Sequence, residues 1–342
     1  MPPQTGQAID AVILIGSLLV ILAGSGLFTN ALEHLGEGFG LSTGVTGSIL
    51  AAIGTALPET VVPIVAIIGE GGNGVGHDIG IGAILGAPLM LATLAFFLVG
   101  VMAFIRRGPR ARIDAEPTGL GRDLRFFLAA FAIAVAALYM PQSLLWARAL
   151  VAAVLVGLYG AYLWRTIRAS RALVAAGHGT EASGALHAAR VGLPANRPIM
   201  IVQLLIALAL IIGGARGFVI GITHISEILG LSPLFLSLAI VPFATEMPEK
   251  LNSLIWIYRG RDTLAVGNIS GAMVFQSSLL PALGILLTPW QPSFDVRLAM
   301  GITLVAGAWL LVLSRLKRLP ALALMLNGVA YAAYFAVLLG HG

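Results

Sequence analysis

An all-α polytopic transmembrane protein, about ten helices in two inverted five-helix repeats, is the architecture this sequence predicts. The prediction rests on its composition, on apolar stretches of bilayer-spanning length, and on a match of the chain to itself at an offset of 190 residues. Of 342 residues, 58% are apolar and 10% charged, against roughly 25% charged in an ordinary soluble domain, so most of the surface must face lipid. The net charge of +5 comes from basic residues scattered over short segments, with no basic stripe interleaved with aromatics. Such scatter signals topology rather than a nucleic-acid partner. The absence of cysteine excludes disulfides, thiolate nucleophiles, cysteine-based zinc sites and thiolate-held iron–sulfur clusters.

A bilayer core needs about 20 mainly apolar residues per helix. On that template the spans fall at about 9–32, 43–70, 77–105, 121–141, 143–168, 198–222, 233–258, 262–288, 295–315 and 319–340. Met1 to Asp10 contain no Lys or Arg, so the first apolar run lacks the basic region of a cleavable signal and is taken as a span. Met140-Pro141-Gln142 is read as a tight turn, because an uninterrupted helix across it would overrun any bilayer.

Basic residues follow span three (Arg106, Arg107, Arg110, Arg112, Arg122), span five (Arg168, Arg171, Arg190, Arg197), span seven (Arg259, Arg261) and span nine (Arg315, Lys317, Arg318). The opposite side carries isolated Arg148, Arg216 and Arg297. The positive-inside rule then places the basic segments in the cytoplasm of a cell membrane and both termini outside it. Residues 1–168 form the first five-helix repeat, 169–197 an Ala- and Gly-rich cytoplasmic linker, and 198–342 the second repeat.

The self-match is carried by residues that apolar chance does not supply. Gly24 falls on Gly214, Phe28 on Phe218, His34 on His224, Glu37 on Glu227, and Gly40-Leu41-Ser42 on Gly230-Leu231-Ser232. Thr55, Pro58 and Glu59 fall on Thr245, Pro248 and Glu249; after a first-half loop five residues longer, Gly82 and Gly86-Ala87 fall on Gly267 and Gly271-Ala272. Five spans per half is an odd number, so the second copy enters the membrane from the other face, as in secondary transporters with a site at the repeat interface.

Gly54-Thr55-Ala56-Leu57-Pro58-Glu59 lies inside the second span and Ala244-Thr245-Glu246-Met247-Pro248-Glu249 inside the seventh. Each proline removes a backbone donor and clashes with the carbonyl four residues back, so the carbonyls of Gly54 and Ala244 lose their helical partners and the helix bends or breaks. Free carbonyls at membrane depth require a ligand, a cavity or another donor. Thr55 with Glu59, and Thr245 with Glu249, are spaced i,i+4, which places hydroxyl and carboxylate on one helix face. A mid-membrane carboxylate costs about 2.5–3.5 kcal/mol on insertion scales, so Glu59, Glu246 and Glu249 need a counter-charge or a proton. A divalent cation would serve. Calcium accepts about six to eight oxygens at flexible geometry; magnesium and manganese stay open. Emptied of metal, neighbouring carboxylates would repel and one would take up a proton more readily, a route to proton coupling.

These two stretches, with the Gly-rich third span and Asp262-Thr263-Leu264-Ala265-Val266-Gly267-Asn268-Ile269-Ser270-Gly271, resemble the two alpha-repeats of the cation/calcium exchanger superfamily, the sodium/calcium exchangers. The resemblance covers about 24–105 and 214–288. It implies Glu59 and Glu249 as paired calcium ligands, with Thr55 and Thr245 beside them. The chain departs from that pattern where a small polar Ser is usual: Ala56 stands in the first repeat and Glu246 in the second. The family's polar positions in the third span fall on Ala87, Pro88 and Leu91, whereas the corresponding late position of the eighth span is Gln276. Oxygen ligands for several sodium ions are thereby depleted, and protons become a serious coupling ion.

Plainer roles compete. Glu59 and Glu249 could be structural acids bonded between helices, and Glu246 could pair with Lys250 at i,i+4, either as a purely structural pair or with Lys250 occupying space that a second cation would fill. His34-x-x-Glu37 and His224-x-x-Glu227 have metal-like spacing but fall near opposite membrane boundaries and read as structural. Gly82-x-x-x-Gly86 and Gly267-x-x-x-Gly271 read as close-packing faces, Asn268, Ser270, Gln276, Ser277 and Ser278 as residues that line the site or bond neighbouring helices, and Asp78 and Asp262 as caps at span starts. The expected function is a calcium antiporter using sodium or protons, with antiport of another divalent cation as the alternative. No cofactor is expected; the partners are transported cations and the lipid bilayer. An intramembrane carboxylate enzyme lacks a nucleophile–base pair, and a passive channel does not suit two inverted sites.

Overall fold

The computed structural model describes residues 3–38, 56–69, 74–175, 185–291, 293–316 and 318–341. Helices α1 (Pro3–Gly38), α2 (Leu57–Gly69) and α3 (Gly74–Met90) lead into a π-helical segment, Leu91–Ala95, which continues as α4 (Phe96–Arg107). A two-residue strand β1 (Arg112–Ile113) precedes α5 (Pro117–Ala137), α6 (Leu145–Ala175) and the short α7 (His187–Arg190). Then come α8 (Arg197–Leu229), α9 (Pro233–Thr245), α10 (Met247–Tyr258), α11 (Asp262–Leu287), α12 (Phe294–Leu313), β2 (Leu319–Pro320) and α13 (Ala321–His341). Among the described residues seven helices are long and apolar enough to cross a membrane, with Leu57–Gly69 and Pro233–Thr245 as shorter apolar helices. The helix read as span four is present, but Arg122, Asp123 and Arg125 near its start leave it outside that set.

Sequence signals fix the ends. Asn196, Ser232 and Ser293 each accept a hydrogen bond from the backbone N–H three residues on, capping α8, α9 and α12. Gly230 closes α8 at φ 65°, a left-handed conformation that glycine adopts at no steric cost. α5 ends at Ala137 and α6 starts at Leu145, with turn residues between them around Pro141, where a turn was expected. At Glu116 partial burial pushes the carboxyl up, but the Thr118 hydroxyl, the N–H groups of Gly119 and Thr118, and the Arg122 charge together hold it below the ordinary carboxylate range. It accepts from Thr118 N at 2.8 Å and Gly119 N at 2.5 Å, capping α5.

Two compact units form, one from Met1–Gly72 with Ala161–Gly230, the other from Asn73–Gly160 with Leu231–Gly342. In the first, α1 and α8 run antiparallel: Asp10 meets His224 at 2.8 Å, and Gln203 reaches the Leu27 carbonyl at 2.9 Å and the Asn30 side chain at 3.1 Å. Between these ends the helices approach through glycine. A Cβ on Gly24 would lie 2.9 Å from Ile211 and 3.1 Å from the Ala207 carbonyl; a Cβ on Gly214 would lie 2.9 Å from Ile21 and 3.0 Å from the Ser17 carbonyl. Each contact maps onto the other under the 190-residue offset. Leu57 and Val61 of α2 pack on the cluster of Phe28, Ala207 and Ile211.

In the second unit α3 lies on α9. A Cβ on Gly86 would fall 2.6 Å from the Leu238 carbonyl, and one on Gly82 2.8 Å from that of Leu234, so both glycines are required by the close approach. The π segment follows Pro88; Asn327 of α13 donates to the Ala92 carbonyl at 2.8 Å, supplying a partner at the irregular turn. Asp262 is more than a cap. Arg107 forks onto it at 2.5 and 2.7 Å, and Asp114 N donates to it at 2.9 Å, tying the end of α4 to the start of α11. β1 pairs antiparallel with β2, and Arg318 lies 3.3 Å from Asp114. Three of the four basic segments, those after α4, α10 and α12, are thus joined at one end of this unit. Isolated Arg148 instead donates to the Ile285 and Thr288 carbonyls at 2.9 and 2.5 Å, closing the end of α11.

Candidate cation site

The break between α9 and α10 falls where Pro248 lacks the N–H that would bond the Ala244 carbonyl. α9 stops at Thr245, the Glu246 N–H turns back to the Pro242 carbonyl at 3.1 Å, and a new helix starts at Met247. Glu249 is therefore the third residue of α10. Glu59 holds the same place in α2, which starts at Leu57 just before Pro58. Each carboxylate thus lies in a first turn, where unpaired N–H groups and the helix dipole favour negative charge. Gly54 and Thr55 lie outside the described residues.

Both carboxylates are buried, at 4% exposure each, and Glu246 is fully enclosed. Gln276, also fully buried in α11, donates its amide to Glu246 Oε1 at 2.9 Å, so two residues singled out from the sequence meet within the second unit. Asn268 donates to the Glu249 carbonyl at 3.2 Å and to Ser253 Oγ at 3.1 Å, fixing the first turns of α10 against α11. The buried Thr245 hydroxyl donates to the Val241 carbonyl at 3.1 Å, so its oxygen lone pairs can act only as acceptors. Ala244 is buried beside it.

Other candidates take structural places. Ser277 and Ser278 donate to the Val274 carbonyl at 3.1 and 2.5 Å, within their own helix. Ser270 donates to Asp123 Oδ2 at 2.7 Å, while Arg122 reaches Asp123 Oδ1 at 3.1 and 3.2 Å. Asp123 was not singled out from the sequence; a charged pair at the sixth and seventh residues of α5, ahead of its apolar run, was the signal available. His224 contacts Asp10, as an interfacial histidine would, and the Glu37 side chain lies outside the described residues. Among the described residues no three His, Asp or Glu side chains gather to hold a metal ion, so a cation here requires hydroxyl, amide and backbone oxygens too.

Residues 9–168 and 199–340 match the family described as sodium/calcium exchanger protein. The chain is 25% identical over 306 residues to inner membrane protein YrbG of Escherichia coli (strain K12), covering 87% of this chain and 88% of that protein. It is 35% identical over 88 residues to the putative antiporter CaxA of Alkalimonas amylolytica, covering 26% of this chain and 28% of that protein. Among solved structures, the H+/Ca2+ exchanger CAX matches at a TM-score of 0.72 and 18% identity, over 96% of this chain and 82% of that one. The sodium-calcium exchanger NCX_Mj matches at a TM-score of 0.59 and 21% identity, over 96% and 98%. At these identities the two structures establish the polytopic helical fold. The family match spans most of the chain, in agreement with apolar helices and buried carboxylates: this integral membrane protein belongs to the sodium/calcium exchanger family, whose members are transporters and not enzymes.

Proposed function

We propose that the chain is a secondary-active antiporter that exchanges calcium for sodium or protons by alternating access, with Glu59 and Glu249 as paired ligands and Thr55 and Thr245 beside them. The observation that carries this reading is the repeated arrangement of a buried carboxylate as third residue of a helix that starts one residue before its proline. Keeping such a group in lipid is costly unless a cation or proton answers it. The reciprocal Gly24 and Gly214 contacts between antiparallel helices support two inverted repeats, 1–168 and 198–342, linked by 169–197. The gathering of three basic segments at one end supports cytoplasmic loops and outward termini. Relatives named as a putative antiporter, an H+/Ca2+ exchanger and a sodium-calcium exchanger support calcium as cargo.

The test is radioactive calcium uptake into proteoliposomes. Glu59→Gln and Glu249→Gln are each expected to abolish uptake while the protein elutes as wild type does. Wild-type uptake in either variant refutes the assignment. An imposed sodium gradient and, separately, an imposed pH gradient identify the coupling ion.

A further inference from the structure

Lys250 is 3% exposed, in the first turn of α10. Its ammonium lies 3.3 Å from the Pro242 carbonyl, 3.3 Å from the Phe243 carbonyl and 2.9 Å from Met90 Sδ, with the Phe243 ring centroid at 4.8 Å. The two carbonyls are the last-turn oxygens of α9, the negative end of its dipole. Two backbone oxygens, a thioether and an aromatic face therefore all turn electron-rich surfaces toward the ammonium, a cradle suited to positive charge. Nearby in sequence to Met90, the buried Ala87 and Leu91 add no side-chain oxygen, so the about six to eight oxygens of a divalent calcium shell are not supplied there.

The first repeat differs here. Under the 190-residue offset Lys250 corresponds to Thr60, and Glu246 to Ala56. The Thr60 hydroxyl donates to the Ala56 carbonyl at 2.9 Å. The second repeat thus carries one extra positive and one extra negative side chain, a turn apart, where the first carries neither.

We propose that the Lys250 ammonium is a tethered monovalent cation: it fills the carbonyl cradle at the end of α9 in place of an alkali-metal ion, and so removes a sodium position from the transport cycle. The inference rests on the antiporter reading and concerns its coupling ion. Lys250 enters the cradle on its own chain, without the entropy cost of binding a free ion, and balances the Glu246 charge. Replacing it by a short oxygen-bearing residue leaves the carbonyl cradle open and a negative charge without its counter-charge one turn away in sequence, which draws in sodium.

The experiment uses the full chain in detergent and in calcium-uptake proteoliposomes, with radioactive sodium as the probe. Wild type is expected to bind no sodium above background, and its uptake to be indifferent to an outward sodium gradient. Lys250→Thr, which installs the first-repeat residue, is expected to bind sodium and to gain at least about tenfold in sodium-driven uptake, equivalent to about 1.4 kcal/mol of coupling. Lys250→Met removes the charge but keeps the stem, and is expected to gain neither. Sodium binding by wild type overturns the proposal, whatever the variants do; so does folded Lys250→Thr that binds no sodium. Glu249→Gln in the Lys250→Thr background separates the two readings: continued calcium uptake there sinks the paired-carboxylate site, while sodium binding by Lys250→Thr still upholds the tethered cation.

Discussion

The side-chain amide of Gln276 donates to Glu246 Oε1 at 2.9 Å, with both residues fully buried. A hydrogen bond to a charged partner contributes about 1.5–3 kcal/mol, and its loss leaves a desolvated acceptor. Gln276→Leu is therefore expected to weaken half-saturating calcium in proteoliposome uptake by roughly ten- to a hundredfold. Gln276→Asn, which keeps the amide on a shorter stem, should fall between. Unchanged calcium dependence in Gln276→Leu would separate this contact from the cation site.

The fork between Arg107 and Asp262 joins α4 to α11. Asp262 is buried and Arg107 partly so. Removing one member of a buried pair costs about 3–5 kcal/mol, and less where solvent reaches the partner. Arg107→Met and Asp262→Asn should each lower the melting temperature in detergent, and the double variant should lose less than the sum of the two. Additive losses would show that the two side chains are not coupled.

Close approach at Gly24 and Gly214 predicts a matched pair of effects. An added methyl meets Ile211 and Ala207 in one case, and Ile21 and Ser17 in the other, at 2.9 to 3.1 Å. Gly24→Ala and Gly214→Ala should each destabilise by about 1–3 kcal/mol and by similar amounts. Gly213→Ala, where an added methyl meets nothing within 4 Å among the described residues, should be neutral or stabilising by about 1 kcal/mol. Thermal unfolding of the three proteins decides it.

Glu116 gives a pH signature outside the spans. Its carboxyl is held below the ordinary value of 4.5, so the cap contributes above the unfolded value and is lost as pH falls through the folded one. Glu116→Ala should cost about 1 kcal/mol at neutral pH, and its stability curve should converge on wild type below about pH 4. A constant offset down to pH 3 would rule out the charged cap.

Much of this fold was legible because membrane helices state their physics locally. Apolar length gave the helices, Pro141 gave a turn, and Pro248 gave the break that sets Glu249 at a helix start. Pairings that depend on distant segments were not legible. Asp262 reads as a cap from its own neighbourhood, yet its partner Arg107 lies 155 residues earlier. Glu246 and Lys250 read as an i,i+4 pair, but the Met90 sulfur beside the ammonium is 160 residues away. Ser270 looks like a site residue until its acceptor Asp123, 147 residues upstream, is found. The π segment is equally silent in sequence, since the amide serving its Ala92 carbonyl belongs to Asn327.

That π segment sets a phase. One residue wound into a helix turns everything beyond it by about 100°. Leu91–Ala95 therefore decides which way Phe96–Arg107 faces once Gly82 and Gly86 are seated against α9. Deleting a single residue there would leave both halves helical and apolar while swinging Gly100 off the Ala321 carbonyl and Arg107 off Asp262. The rod would survive, but the gearing between its cradle end and its anchored end would slip by a quarter turn.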